Sequence, residues 1–196
     1  MKNSDTPMSL ADAIAFRQSI RSYAPGCLNR SAINSLLSSA VRAPNAINEE
    51  QWQFVVVQGK SILERLSVVA KAALSTQQHD KHLKFAPWLQ KFNDPGFNVF
   101  YDAETLIVIC GKSDAPFVPA DCWLAAENLM LSACAMGLGT CVIGSSVLGL
   151  NSSQGKSILE ISVETHVVVP IIVGVPNGNT PRSKRSEPSV LSWLEE

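Results

Sequence analysis

The stretch Ala125–Gly144, AAENLMLSACAMGLGTCVIG, joins the most apolar helix expected in this chain to a glycine-rich turn. The pattern predicts a helix over Pro119–Met136, where apolar residues cover nearly every side. A chain of 196 residues has few elements with which to surround such a helix. We therefore expect the helix to lie at a homodimer interface. The glycines that follow it leave a bare backbone that a ligand can approach closely.

The length and composition predict one domain over residues 1–196. A net charge of −1 argues against a nucleic-acid-binding protein, because phosphate binding needs a clear cationic excess. The sequence shows neither a signal peptide nor an apolar run of membrane-spanning length, so we expect a cytoplasmic protein with no membrane contact. The five cysteines form no C-x-x-C pair and favour reduced, buried thiols.

Two helices are predicted near the N-terminus. Ser9 and Asp12 are typical of a helix start, and the residues that follow Ser9 would give this helix one apolar face, formed by Leu10, Ala13 and Ile14. A second helix is expected from Arg30, capped by Asn29 or Ser31 and ended by Pro44.

Three apolar runs predict strands, at Trp52–Gly59, Thr105–Cys110 and His166–Val175. A helix that begins with Ser61 and Glu64 as a capping box is expected after the first strand. Residues 75–96 are polar and broken by prolines, which predicts a loop with short helical pieces.

Basic residues cluster at both ends of the chain. Arg17, Ser19 and Arg21 could hold a phosphate or another anion, although such pairs are more often solvated charges. The tail carries a second cluster at Arg182, Lys184 and Arg185. Taken by itself, such a run is more often a set of solvated charges than a binding site. The two clusters could meet on one small anion.

Other polar residues allow two interpretations. Asn45 and Asn48 could pair with the polar edge of a planar heterocycle, or could simply be turn residues. His79 and His82 lack a third ligand nearby, so we expect a solvated pair and no metal site.

Four segments in order resemble the nitroreductase family of FMN-dependent NAD(P)H oxidoreductases. RQSIRSY resembles the family's R-x-S-x-R start, and APNAINEEQWQF resembles its A-P-S-x-x-N-x-Q-P-W-x-F motif. AAENLMLSACAMGLGTCVIG resembles the central helix and its G-L-G-T-C-W-I-G turn, and the basic tail after VGVP also matches. Together they cover almost the whole chain.

The resemblance implies an α+β fold with a central, mostly antiparallel sheet flanked by helices, dimerising through long helices. It also implies two FMN sites at the interface, each built from both subunits. One subunit would supply Arg17, Gln18, Ser19 and Arg21, with Arg17 and Ser19 toward the phosphate and Arg21 toward the N1/O2 side of the ring.

The resemblance also implies FMN contacts from the partner subunit, from the glycine-rich turn and from the C-terminal tail. The partner subunit would supply Pro44, Asn45, Ala46 and Asn48. The backbone at Ile143, Gly144 and Ser145 would approach flavin N5 and O4, and Arg182, Lys184 and Arg185 would close on the phosphate. No side chain need act as an obligatory acid, base or nucleophile, since the flavin carries the hydride.

The implied activity is hydride transfer from NADH or NADPH, followed by reduction of a nitroaromatic, quinone or other unsaturated acceptor in a ping-pong cycle. A flavin-binding protein without NAD(P)H turnover, a specific dehydrogenase and a flavin-degrading enzyme remain alternatives, because a fold does not fix a reaction. The sequence departs from the family pattern at a few positions, namely Asn45, Glu50, Gln51, Glu104 and Val142.

Overall fold

The computed structural model describes residues 8–76, 87–182 and 184–195, and gives only the backbone for 87–89. Its helices are α1 Leu10–Phe16, α2 Arg30–Ala40, α3 Lys60–Thr76, α4 Val118–Ala135, α5 Val147–Asn151 and α6 Ser153–Leu159. Its strands are β1 Trp52–Gln58, β2 Thr105–Gly111, β3 Gly139–Val142 and β4 His166–Gly174. Short 3-10 turns occupy Ala46–Asn48, Pro87–Asn93 and Gly144–Ser146.

The four strands form one sheet in the order β1-β2-β4-β3, and every neighbouring pair is antiparallel. This confirms the α+β fold with its antiparallel sheet. The GLGTC segment was expected to be a turn, and that expectation is wrong for most of it. Residues from Gly139 onward form an edge strand, because they pair with the edge of β4 that lies opposite β2.

Apolar layers cover both faces of the sheet. All seven residues of β2 are buried. Ile107 and Ile109 pack on the side of α2 and α4, whereas Leu106 and Val108 pack on the side of α3, α5 and α6. The alternation follows from the two-residue period of a strand. The sheet therefore lies between two helical layers.

The helix starts follow local polar contacts. Ser9 caps α1 and Asn29 caps α2, as the sequence predicts. The capping box at Ser61 is wrong, because α3 begins one residue earlier, at Lys60. Gly59 has a positive φ of 113°, and its N–H donates to the Glu104 carbonyl at 3.0 Å, so the chain turns into the helix directly after β1.

Two apolar helix faces are not covered by the described part of the chain. In α1 only Ala13 is buried, whereas Leu10 and Ile14 are 68% and 59% exposed, so most of the predicted apolar face is uncovered in a single chain. Trp123 and Leu124 on α4 are 49% and 45% exposed. The helix predicted at Pro119–Met136 is confirmed to within one residue at each end, and it carries large apolar side chains on its outer surface.

Candidate functional site

The RQSIR segment lies beside the edge strand β3. After α1 the chain is extended, and Ile20 donates its N–H to the Thr140 carbonyl at 2.9 Å. Ile20 is buried against Gly139, where an added Cβ would lie only 2.7 Å from the isoleucine side chain. Glycine at this position is therefore what allows the segment to approach the strand so closely.

Arg17 reaches the middle of α4. Its Nε lies 3.3 Å from Glu127 Oε1, close enough for an ion pair, but it does not make a hydrogen bond with that oxygen or with another described atom. This nitrogen is nevertheless buried. A buried guanidinium donor without an acceptor is costly, so the position suits an anion that completes its hydrogen bonding.

The C-terminal tail returns to the RQSIR segment. Gln18 Nε2 donates to the Thr180 carbonyl at 2.9 Å, and the Arg182 guanidinium stacks over the Phe16 ring at 4.2 Å. The tail that carries the second basic cluster thus lies against Phe16 and Gln18, on either side of Arg17 in the sequence. Lys184 and Arg185 follow in the tail and are exposed.

A cavity of about 320 Å³ opens beside the C-terminal end of β3. One wall consists of the backbone and side chains that end β3 and begin the next turn, and the opposite wall is largely aromatic. Its lining residues are Arg21, Lys91, Phe92, Phe97, Tyr101 and residues 141–145. Arg21 and Lys91 are the charged residues in this lining, so its potential favours anionic or electron-rich groups.

Arg21 is held between the two walls. Its guanidinium carbon lies 5.7 Å from the centre of the Tyr101 ring, within cation–π range. On the other side lies Cys141, which is 2% exposed. Burial raises the pKa of the Cys141 thiol, and Arg21 and Ser19 lower it in part. The thiol therefore stays neutral near pH 7 and leaves the positive charge of Arg21 available to a ligand.

Gly144 borders open space. A Cβ built there would meet nothing within 4 Å, unlike one at Gly139. Gly144 also begins the 3-10 turn Gly144–Ser146. The first N–H groups of a helical turn have no acceptor within the turn. The backbone at this position can therefore donate to a ligand placed against it.

The Pro44–Asn48 segment does not line this cavity within one chain. The Ala46 N–H donates to the Asp121 carboxylate at the start of α4, at 3.1 and 3.2 Å to its two oxygens. Ile47 and Asn48 have positive φ angles of 47° and 57°, and Ile47 is 84% exposed. Such backbone conformations in residues other than glycine often mark functional loops.

The structure thus places several of the predicted site residues of one chain around two different cavities. Arg21 shares the larger cavity with Ile143, Gly144 and Ser145, whereas Arg17 and Gln18 line a neighbouring cavity of about 180 Å³. The sequence reasoning did not find the aromatic wall, formed by Phe92, Phe97 and Tyr101. These rings pack edge to face, and their proline-broken segment offered a recognisable loop signal but no periodic one.

Two negative observations concern only the described residues. No helix among them combines the length and apolar character needed to cross a bilayer. Likewise, no three histidine, cysteine or acidic side chains in these ranges group as metal ligands would. His79 and His82 lie outside the described residues.

Comparison with solved structures supports the fold. The FMN-bound nitroreductase of Bacteroides fragilis superimposes with a TM-score of 0.83 at 22% identity, covering 96% of this chain and 100% of that one. The FMN-bound nitroreductase of Desulfitobacterium hafniense gives a TM-score of 0.80 at 17% identity, covering 95% and 98% of the two chains.

Comparison of sequences identifies a relative and the family. A protein of Methanothermobacter thermautotrophicus, provisionally named NADH dehydrogenase/NAD(P)H nitroreductase, is 27% identical over 136 residues. That match covers 67% of this chain but only 59% of the relative's length. The model of the nitroreductase family matches residues 14–175. The chain therefore belongs to the nitroreductase family.

Proposed function

We propose that this protein is an FMN-dependent oxidoreductase that takes hydride from NADH or NADPH and reduces a nitroaromatic, quinone or other unsaturated acceptor. The observation that carries the proposal is the cavity in which Arg21 faces the open backbone at Gly144 and Ser145. A cation and bare N–H groups on opposite sides of one slot suit the polar edge of a flavin ring.

The phosphate of FMN fits the region where the tail returns to the RQSIR segment. Arg17 Nε is buried and has no hydrogen-bond acceptor among the described residues, and Arg182 stacks over the ring of the preceding residue, Phe16. Arg17 and Ser19 would hold the phosphate, with Arg182, Lys184 and Arg185 closing over it from the tail. Guanidinium groups suit this role because they bind phosphate oxygens through paired hydrogen bonds.

The ring fits the larger cavity. When bound, FMN supplies hydride and electron transfer through its N5 position. Arg21 would stabilise the negative charge that develops near N1/O2, and the backbone at Ile143, Gly144 and Ser145 would orient the N5/O4 edge. The Cys141 thiol would stay uncharged and take no part in the reaction, because its raised pKa keeps it protonated.

A partner subunit would complete the site. The apolar faces of α1 and α4 are exposed in one chain, and so are Leu191 and Trp193 in the C-terminal tail, at 100% and 78%. Burial of such surface in a homodimer is favourable. In that dimer Pro44, Asn45, Ala46 and Asn48 would reach the flavin of the opposite subunit, since their loop lies away from the cavity of its own chain.

The two substrates would use the same cavity in turn. The cavity is open beside Gly144, where an added Cβ would meet nothing within 4 Å, and it would place a planar molecule against the ring. Because donor and acceptor would occupy this cavity in succession, the kinetics would be ping-pong.

The experiment that tests the proposal is identification of the cofactor. The purified or reconstituted protein should be yellow and should release FMN rather than FAD on denaturation, as judged by chromatography. Arg17→Ala should weaken binding of FMN but leave binding of riboflavin, which lacks the phosphate, nearly unchanged. A colourless protein that FMN does not reconstitute would refute the proposal.

A further inference from the structure

We infer that Asp121 is a positioning residue for the flavin site of the opposite subunit, acting through the loop Asn45–Glu50. The inference rests on the proposed function, because it assigns a role in a site that two chains would build. Asp121 lies in the first turn of α4.

The Asp121 carboxylate is buried, and among the described residues its hydrogen-bond partner is the Ala46 N–H. Asp121 is only 5% exposed, and both of its oxygens accept from the Ala46 N–H, at 3.1 and 3.2 Å. Within the described ranges, the ion pairs involve Arg17 and Lys60 rather than Asp121. Burying a carboxylate costs free energy unless it is hydrogen-bonded. The Ala46 N–H, as the partner of the Asp121 carboxylate, therefore shows which part of the chain this carboxylate holds in place.

The loop that it holds has an unusual shape. Ile47, Asn48 and Glu50 all have positive φ angles, between 47° and 57°. A β-branched residue such as Ile47 rarely adopts this conformation. The loop therefore keeps its shape only because the surrounding structure imposes it.

Two other contacts fix the far end of the loop. The Glu50 N–H donates to Asn45 Oδ1 at 2.9 Å, and Lys112 Nζ donates to the Glu50 carbonyl at 3.0 Å. Asp121 is the fixed point at the near end. Without it, Ala46 and Ile47 are free to relax while the end at Glu50 stays in place.

It follows that residues of one chain would act on two different flavin sites. Arg17 and Arg21 would act on the flavin of their own chain, whereas Asp121 would act on the flavin of its partner. Loss of the Asp121 carboxylate should therefore damage the site across the interface and leave the RQSIR segment of its own chain intact.

Single substitutions give the first test. Asp121→Leu should raise the Kd for FMN about tenfold, equivalent to about 1.4 kcal/mol, whereas Asp121→Asn, which keeps an acceptor oxygen, should restore binding. Ala46→Pro removes the same hydrogen bond from the donor side, and it provides the test if Asp121→Leu does not fold. Thr105→Val is the matched control, because Thr105 is 1% exposed and accepts from the Leu28 N–H at the far end of β2.

A mixed dimer gives the decisive test. Chains carrying Asp121→Leu and Arg17→Ala, each with a different affinity tag, are purified as heterodimers and titrated with FMN. If Asp121 acts across the interface, the Asp121→Leu change in one chain and the Arg17→Ala change in the other affect the same FMN site. The second site then carries neither change and should bind FMN as tightly as a wild-type site does.

The other outcomes are distinguishable. Two equally weakened sites in the heterodimer, with tight binding in wild type, would overturn this inference and leave the proposed function standing. Equal effects of Thr105→Val and Asp121→Leu on the Kd would overturn it as well, because the carboxylate would then be merely structural. A wild-type protein that binds no FMN would overturn the proposed function and this inference together.

Discussion

Ile20 donates its backbone N–H to the Thr140 carbonyl at 2.9 Å, and this bond aligns the RQSIR segment with the edge strand β3. Arg17 then reaches the smaller cavity beside Gly137, and Arg21 reaches the larger cavity beside Gly144. Two cations at opposite ends of one extended segment suit an elongated ligand with an anionic group at one end and a ring at the other.

The first prediction concerns the charge of Arg21. Arg21→Ala should lower the midpoint potential of bound FMN, because the lost attraction acts mainly on the reduced, more negative ring. Charge-assisted hydrogen bonds contribute about 1.5–3 kcal/mol, and about 30 mV corresponds to about 1.4 kcal/mol for a two-electron couple, so a drop of about 30–60 mV is expected.

Redox titration checks this value. Arg65→Ala is the matched control, since Arg65 lies on α3 and lines a different surface depression. A midpoint potential for Arg21→Ala equal to that of wild type would show that Arg21 does not face the ring.

The second prediction separates two glycines of one motif. Gly144→Val should fold normally, because the site of its Cβ is open, but its side chain should fill the cavity and weaken FMN binding by tenfold or more, about 1.4 kcal/mol. Gly139→Ala should instead lower the free energy of unfolding, because its Cβ would lie 2.7 Å from Ile20. Urea unfolding and FMN titration of both variants test this contrast, and tight FMN binding by Gly144→Val would contradict it.

Much of the fold could be predicted from local pattern. The caps at Ser9 and Asn29, the apolar strands and the boundaries of α4 all follow from residues close together in sequence. The strand character of Gly139–Val142 could not be predicted, because it depends on pairing with β4, some thirty residues later. The start of α3 was misplaced because Gly59 turns the chain before Ser61 can cap it.

The site was less predictable than the fold. The return of the C-terminal tail to the RQSIR segment was expected only as a possibility, since two chain ends carry no local signal of contact. The aromatic wall at Phe92, Phe97 and Tyr101 was missed because edge-to-face packing of rings leaves no period in the sequence. Asp121 was hidden within an apolar helix, where its first-turn position looks like ordinary helix stabilisation.

The third prediction concerns the dimer. Trp123→Glu should convert the protein to a monomer and release its FMN, because a carboxylate would replace a large apolar side chain at the proposed interface. Burial of such a side chain contributes about 1.5–3 kcal/mol, so the dimer should dissociate about tenfold to a hundredfold more easily. Sedimentation at micromolar concentration measures this.

Val68→Glu provides the control for the dimer experiment. Val68 is 63% exposed on α3, on the other side of the sheet, and its replacement should leave the dimer and its flavin unchanged. A dimeric, yellow Trp123→Glu protein would argue against α4 as the interface.

The fourth prediction is a loss of stability at alkaline pH. Burial, with a smaller contribution from Cys122, raises the pKa of Cys110 to about 12, and burial and the charge of Asp121 raise the pKa of Cys122 to about 11. Because the folded pKa values are raised, this stabilisation is complete below the unfolded value of about 8.5 and is lost as pH rises toward the folded values.

Urea unfolding at pH 7.5 and pH 10 measures the effect. At the higher pH, the raised pKa values of Cys110 and Cys122 should each lower the free energy of unfolding by about 2 kcal/mol. Cys110→Ala should remove its share of this loss, whereas Cys27→Ala, at an exposed position, should keep the full loss. An identical pH dependence in Cys110→Ala and wild type would contradict the assignment.

Anaerobic titration of the FMN-loaded protein with NADH and with NADPH tests whether the flavin accepts hydride from a nicotinamide. At least one nucleotide should bleach the visible absorption of the flavin, and a nitroaromatic or quinone added afterwards should restore it. If neither nucleotide changes the absorption while dithionite bleaches it fully, the protein binds flavin without NAD(P)H turnover and the proposed function is wrong.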